Sequence, residues 1–285
     1  MSATSLTWGG RSIPGPDGLP AVAVSLTGPS LAQARTQARS AIGAGADVLE
    51  LRVDLLEETG ALTAAPMDTA AARVLECLQG VGEVANGADA DAGAPLLLTC
   101  RTAAEGGRAH LDAAAYGALL RSVLDGLADW APERRPAAID VEVQRGCLQR
   151  VCEHAHTLGV DVVASFHDFE ATPPDEVLEE VLARMASEGA DLAKIAVWPT
   201  SADDVARLLG VCARATAGTG EGAGPGVPVA AMSMGALGAV SRVAPAFGTA
   251  LTFAVVPDEQ GEARASAPGQ MPIQDVRRCL ELLRA

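Results

Sequence analysis

Residues 160–197 read VDVVASFHDFEATPPDEVLEEVLARMASEGADLAKIAV. A short run rich in β-branched residues, Val160–Phe166, ends in the polar pair His167-Asp168. Pro173 and Pro174 then open a helix near 174–188, Gly189 ends it, and a second short run follows at Leu192–Val197. Prolines are tolerated at a helix start, and glycine takes up the left-handed turn after its end. Two short strands, apolar on both faces and joined by one helix, make a parallel crossover unit. Such a sheet needs helices over it, so the stretch predicts an α/β fold.

The same unit recurs along the chain. Further strand candidates are Ala21–Leu26, Asp47–Val53, Leu96–Cys100, Ala138–Val143, Pro228–Met232 and Thr249–Ala254. Helix candidates lie near 30–44, 67–80, 112–129, 146–158, 201–215, 236–246 and 272–284, the first capped by Ser30 and the fourth ended by Gly159. Eight strands alternating with eight helices in 285 residues favour a closed barrel over an open doubly wound sheet. No GxGxxG follows the first strand, which removes the main mark of a dinucleotide fold. The expectation is a single (β/α)8 TIM barrel over residues 20–285, preceded by a flexible leader at 1–19 rich in Gly, Pro, Ser and Thr. Two Gly/Ala-rich stretches, Gly80–Pro95 and Gly218–Pro228, precede strands and so belong to the end of the barrel away from chemistry. A third, Val256–Gln270, follows the last strand and overhangs the mouth.

Composition narrows the function. Twenty-one basic against 36 acidic residues give a net charge of −15, which offers no clustered positive surface for nucleic acid or anionic membrane. With 49% apolar residues the chain fills a large core. No apolar run reaches the ~18 residues of a membrane span. The six cysteines show no CxxC or zinc spacing, and the N-terminus has no basic region followed by an apolar one, so a reduced cytoplasmic setting is expected. Twenty of the 21 basic residues are arginine, and the one lysine is Lys194. A surface ion pair can use either residue, whereas amine chemistry needs lysine.

Barrel chemistry is expected where strands end, and nearly every unit brings polar residues there. The second strand ends in Glu50, Arg52 and Asp54, and the third leads to Arg101 and then Glu105-Gly106-Gly107. Asp140 and Glu142 alternate on the fourth, His167 ends the fifth, and Lys194 lies within the sixth. Met232, Met234 and Arg242 follow the seventh, and Ser266 and Gln270 lie in the eighth loop. Burial would lower the Lys194 pKa towards that of a nucleophilic amine; the alternatives are a buried ion pair with Glu142 or a similar carboxylate, or a lysine pointing outward between helices. His167 is either a strand-end cap or a general acid/base beside Lys194, with Glu105 orienting its ring. His110, His154 and His156 lie in a loop and on a polar helix face. Asp140 and Glu142 alone would be a weak magnesium site. Arg52, Arg101 and Arg242 converge either as an anion site or as a rim network with Glu50, Asp54 and Glu142.

Six blocks, LELRVD at 49–54, TCRTAAEGG at 99–107, SFHDF at 165–169, AKIAV at 193–197, MSMGALGAVSR at 232–242 and SAPGQ at 266–270, together resemble type I 3-dehydroquinate dehydratases. They stand in the family's order and spacing. The resemblance implies dehydration of 3-dehydroquinate to 3-dehydroshikimate in the shikimate pathway, without metal or cofactor. It makes Lys194 the Schiff-base residue, His167 the proton carrier and Glu105 its orienting group. Arg242, Ser266 and Gln270 would hold the substrate carboxylate. Glu50, Arg52 and Arg101 would bind ring hydroxyls, Met232 and Met234 would pack on the ring, and Ser25 joins the binding set. A homodimer is also implied. Phe166 and Trp198 depart from the family pattern as bulky groups that would crowd the pocket, and residues 257–264 make its lid long and acidic. Other readings of the same residues are a related Schiff-base lyase or aldolase acting on another keto acid, and a non-catalytic metabolite-binding barrel.

Overall fold

A computed structural model describes residues 5–60, 62, 66–87, 93–217, 226–257 and 264–284. Ten strands and seven α-helices alternate among them. A small antiparallel hairpin, β1 (Leu6–Trp8) and β2 (Arg11–Ile13), comes first. The parallel strands are β3 (Ala21–Leu26), β4 (Val48–Arg52), β5 (Leu96–Thr99), β6 (Ala138–Glu142), β7 (Asp161–Asp168), β8 (Leu192–Val197), β9 (Val229–Ser233) and β10 (Leu251–Ala254). The intervening helices are α1 (Leu31–Gly43), α2 (Met67–Ala85), α3 (Ala113–Leu127), α4 (Leu148–Thr157), α5 (Asp175–Ser187), α6 (Ala202–Thr216) and α7 (Ile273–Leu282). The eight parallel strands pair in chain order from β3 to β9, with β10 against β3. The Ala250 N–H donates to the Val229 carbonyl at 2.7 Å, which draws β9 and β10 together and nearly closes the (β/α)8 barrel.

Period-two alternation builds two cores. On β8, Ala193, Ile195 and Val197 face the helices, while Leu192 and Ala196 belong to the barrel interior. On β7, Val163 points inwards and Ala164 and Phe166 outwards. The inward positions change character along each strand, from Val48, Leu97 and Ala138 at the N-terminal end to Glu50, Thr99 and Asp140 two residues later. Apolar side chains thus fill the bottom of the barrel, and charged groups collect at its C-terminal mouth.

Several sequence expectations change here. Of the leader expected at 1–19, residues 5–19 are described and are not simply loose, because Trp8 and Ile13 are buried in the interior cluster. The Trp8 Nε1–H donates to Asp161 Oδ2 at 2.8 Å, so the hairpin closes the bottom of the barrel. Helix α2 runs on to Ala85 through the first residues of the Gly/Ala-rich stretch. The helix expected near 236–246 is replaced by 3-10 turns at Ala239–Val243 and Pro245–Phe247. Pro245 cannot supply a helical N–H, and the Ser241 hydroxyl bonds the Gly238 carbonyl at 2.7 Å while accepting from the Ser233 N–H at 2.9 Å. No helix among the described residues is long and apolar enough to cross a membrane.

Candidate active site

At the mouth, positions on five strands, the turn after β5 and the final loop enclose a cavity of about 460 Å³ including its opening to solvent. Lys194, on the sixth barrel strand, is 5% exposed. Its Nζ stands 3.2 Å from His167 Nε2, 3.9 Å from Asp140 Oδ2 and 4.7 Å from the centre of the Phe253 ring. Burial lowers the lysine pKa, against the opposing pull of the Asp140 charge. The ion-pair alternative finds its carboxylate in Asp140 rather than Glu142, at a separation longer than a hydrogen bond.

Behind the lysine, His167 Nδ1 lies 2.9 Å from Glu105 Oε2. Burial, with Arg101 and Lys194 adding to it, holds the imidazole well below its ordinary value. Burial also pushes Glu105 up to about 8, although Arg101 Nη1 sits 3.5 Å away. The contact is therefore a hydrogen bond inside a coupled pair of groups, both pushed towards their neutral forms. A ring proton on Nδ1, donated to Glu105, leaves the Nε2 lone pair towards Lys194 and the cavity.

Two glycines make that placement possible. Gly106 has φ +79°, and a Cβ there would lie 2.4 Å from the Phe169 ring. A Cβ on Gly107 would lie 2.1 Å from the Arg101 carbonyl oxygen. The turn folds back so tightly that Glu105 and Arg101, both carried by it, face the same space.

The three arginines separate. Arg52 forms a two-pronged pair with Asp54, both bonds 2.8 Å. Arg101 donates to Asp140 and Ser165, each at 2.8 Å, and to Glu142 at 3.3 Å. Its charge is spent on buried carboxylates, as the network alternative required, although both side chains still line the cavity. Arg242 is different. It is 1% exposed, has no carboxylate within 4.0 Å among the described residues, donates through Nη2 to the Pro268 carbonyl at 3.0 Å, and its Nε has no partner there. Burial pulls its pKa down to about 10, so it stays protonated at neutral pH. A desolvated cation of this kind is completed by a bound anion.

The SAPGQ loop covers the mouth from the other side. Ser266 Oγ donates to Ser25 Oγ at 2.8 Å, Ser25 in turn bonds Glu50, and Gln270 Nε2 donates to Ser266 Oγ at 3.0 Å. The Gly235 N–H donates to the Pro268 carbonyl at 3.1 Å, and Gly269 (φ +82°) has no room for a Cβ against the Gly235 backbone. Most of the acidic stretch within 257–264 lies outside the described residues.

Of the sequence-predicted site, Lys194, His167, Glu105, Glu50, Arg52, Arg101, Met232, Arg242, Ser266 and Gln270 line this cavity. Met234 does not: it is fully buried in the interior cluster, its N–H bonded to the Val197 carbonyl at 2.8 Å. Ser25 acts through Glu50 and Ser266 rather than at the wall. Phe166 and Trp198 do not crowd the pocket, since Phe166 faces the helices and the Trp198 ring lies by Gly235. Asp140 and Glu142, weighed as metal ligands, are taken up by Arg101, Ser165, Thr102 and Arg145. The Cys100 thiol is buried, which pushes its pKa up and makes it unreactive. Phe253, Phe169 and Ala196 complete the wall and were missed. Their only signal was an inward or strand-end position.

Comparison with known proteins accords with this geometry. Residues 22–285 match the family model for type I 3-dehydroquinase. A 3-dehydroquinate dehydratase of Klebsiella pneumoniae is 36% identical over 266 residues, 92% of each chain. The crystal structure of 3-dehydroquinate dehydratase from Geobacillus kaustophilus superposes with a TM-score of 0.79 at 29% identity, covering 98% of this chain and 96% of that one. The type I enzyme of Clostridium difficile, with covalently modified comenic acid, gives 0.78 at 27% identity, covering 99% of each.

Proposed function

The chain belongs to the type I 3-dehydroquinase family, and from that premise we propose that it dehydrates 3-dehydroquinate to 3-dehydroshikimate through an imine on Lys194. The hydro-lyase activity and its place in the shikimate pathway come with the family; the residue roles are our reading. The observation that carries it is the chain Lys194–His167–Glu105, linked at 3.2 and 2.9 Å beneath an arginine that lacks a carboxylate partner among the described residues.

The substrate carboxylate would sit on Arg242, held from the lid by Ser266 and Gln270. That seats the C3 ketone over Lys194, whose lowered pKa leaves more free amine at neutral pH. Nζ adds to C3, and loss of water gives a protonated imine. His167 Nε2 takes the C2 proton, the C2–H electron pair becomes a C2=C3 double bond while the C=N pair moves onto nitrogen to give an enamine, and the C1 hydroxyl leaves as water with the proton His167 returns. The returning electrons restore the iminium, and hydrolysis frees product and lysine. One base that takes and returns the proton on one face accounts for a syn elimination. Glu50 and the paired Arg52 and Arg101 would contact ring hydroxyls, Met232 would pack on the ring, and the docked lid would exclude water.

Cytoplasmic location and a homodimer complete the reading. The six free cysteines agree with the first, and exposed Leu237, Val240 and Leu283 offer a surface that a second copy could cover. A direct test is to incubate the protein with 3-dehydroquinate and follow the conjugated product by ultraviolet absorbance. Turnover by the native chain and none by a folded Lys194→Ala variant is expected. A folded native chain that binds 3-dehydroquinate without consuming it would instead support a metabolite-binding barrel.

A further inference from the structure

Forming the imine leaves one N–H on the Lys194 nitrogen, and the group now beside that nitrogen is needed elsewhere. Nζ faces His167 Nε2 at 3.2 Å in the resting site. During elimination that ring nitrogen must serve substrate C2. A charged N–H in a buried pocket then needs another acceptor.

Two buried carboxylate oxygens of the site lack a partner among the described residues, Glu105 Oε1 and Asp140 Oδ2. Glu105 is bonded to Nδ1, the far side of the His167 ring. Asp140 Oδ2 is 3.9 Å from Nζ. Its sister oxygen is fixed by two donors, Ser165 Oγ at 2.7 Å and Arg101 Nη2 at 2.8 Å. The carboxylate cannot turn away without breaking both, so the open oxygen stays aimed at the lysine. A shift of roughly 1 Å would bring the pair to hydrogen-bond distance. Other nearby carboxylates are already engaged: Glu50 by Thr99 and Ser25, and Glu142 by Thr102, Arg101 and Arg145.

We propose that Asp140 is a positioning residue that accepts the N–H of the protonated imine on Lys194, fixing the plane of the C=N bond while His167 works at C2. The proposal rests on the imine reading above. Planarity matters because the breaking C2–H bond must align with the C=N π system for the nitrogen to take up its electrons.

The test compares the native chain with Asp140→Asn, which keeps shape and an acceptor for Ser165 but presents no charge to the lysine. The folded variant should still give a borohydride-trapped adduct on Lys194 with 3-dehydroquinate, while kcat falls about 10- to 100-fold and KM moves less than about threefold. A second readout is the pH midpoint of adduct formation. The groups facing Lys194 are His167, Asp140, Glu50, Arg52 and Arg101; deleting the Asp140 charge should move that midpoint downwards, which a purely structural role would not do. Unchanged kcat and midpoint would overturn the proposal. So would an adduct formed by native protein but not by the folded variant, since Asp140 would then be needed to make the imine. No adduct in native protein would sink the imine reading itself. Should Asp140→Asn fail to fold, Ser165→Ala removes one anchor of the carboxylate. A loss of about 3- to 10-fold in kcat with trapping intact supports the role, and unchanged kcat refutes it.

Discussion

Arg242 and Glu105 show how burial turns ordinary side chains into parts of a site. Arg242 keeps its charge in a dry environment, its one hydrogen-bond partner among the described residues being the Pro268 carbonyl. Removing it should weaken substrate capture rather than chemistry: Arg242→Ala is expected to raise KM about 10- to 100-fold with a smaller effect on kcat, measured by steady-state kinetics. Glu105 carries a pH-dependent cost. Its folded pKa of about 8 lies above the ordinary 4.5, so its contribution to stability is full below 4.5 and is lost as pH rises through 8. Glu105→Gln removes that loss. Thermal melts should therefore show the variant gaining stability relative to native protein between pH 5 and pH 9, while its activity falls because His167 is no longer oriented by a carboxylate. A melting difference that stays constant across that range would mean that Glu105 is ionised throughout.

At the scale of elements, the turn after β5 is the most constrained part of the mouth. A side chain on Gly107 would strike the Arg101 carbonyl, a backbone atom that cannot rotate aside. Gly107→Ala should cost about 3 kcal/mol or more in denaturant unfolding and displace Glu105. Gly106→Ala meets the Phe169 ring, a 37% exposed side chain that can move, and adds the strain of φ +79°, and should cost less. The strands were legible because short β-rich runs bounded by turn residues are a strong local signal, and they put His167 at a strand end and Lys194 within a strand; that Lys194 points into the barrel is what the fold adds. What alternation could not show is which arginines are already spent. Arg52 meets Asp54 two residues on, but Arg101 meets Asp140 and Glu142 only once β5 and β6 lie side by side. Phe253 was missed for the same reason, since closure of the barrel is what puts its ring under Lys194. Met234 was misplaced because counting along a strand end does not say where the cavity floor lies.

The whole molecule separates stability from chemistry along the barrel axis. The hairpin seals the bottom with Trp8, 2% exposed, while the mouth carries the charged groups. Trp8→Ala should cost about 3–5 kcal/mol yet leave kcat near native wherever the variant remains folded. A loss of kcat without loss of stability would contradict this division. The hairpin itself escaped a compositional reading, because Gly, Pro and Ser suit a tight turn as well as a loose tail.

The central claim is an imine on Lys194, and the chain makes it easy to examine because that residue is its only lysine. The protein would be incubated with 3-dehydroquinate and borohydride, weighed intact, and mapped by peptide. The account predicts one reduced adduct, on the peptide containing Lys194. Turnover of 3-dehydroquinate with no adduct, or with an adduct confined to another site, would contradict it.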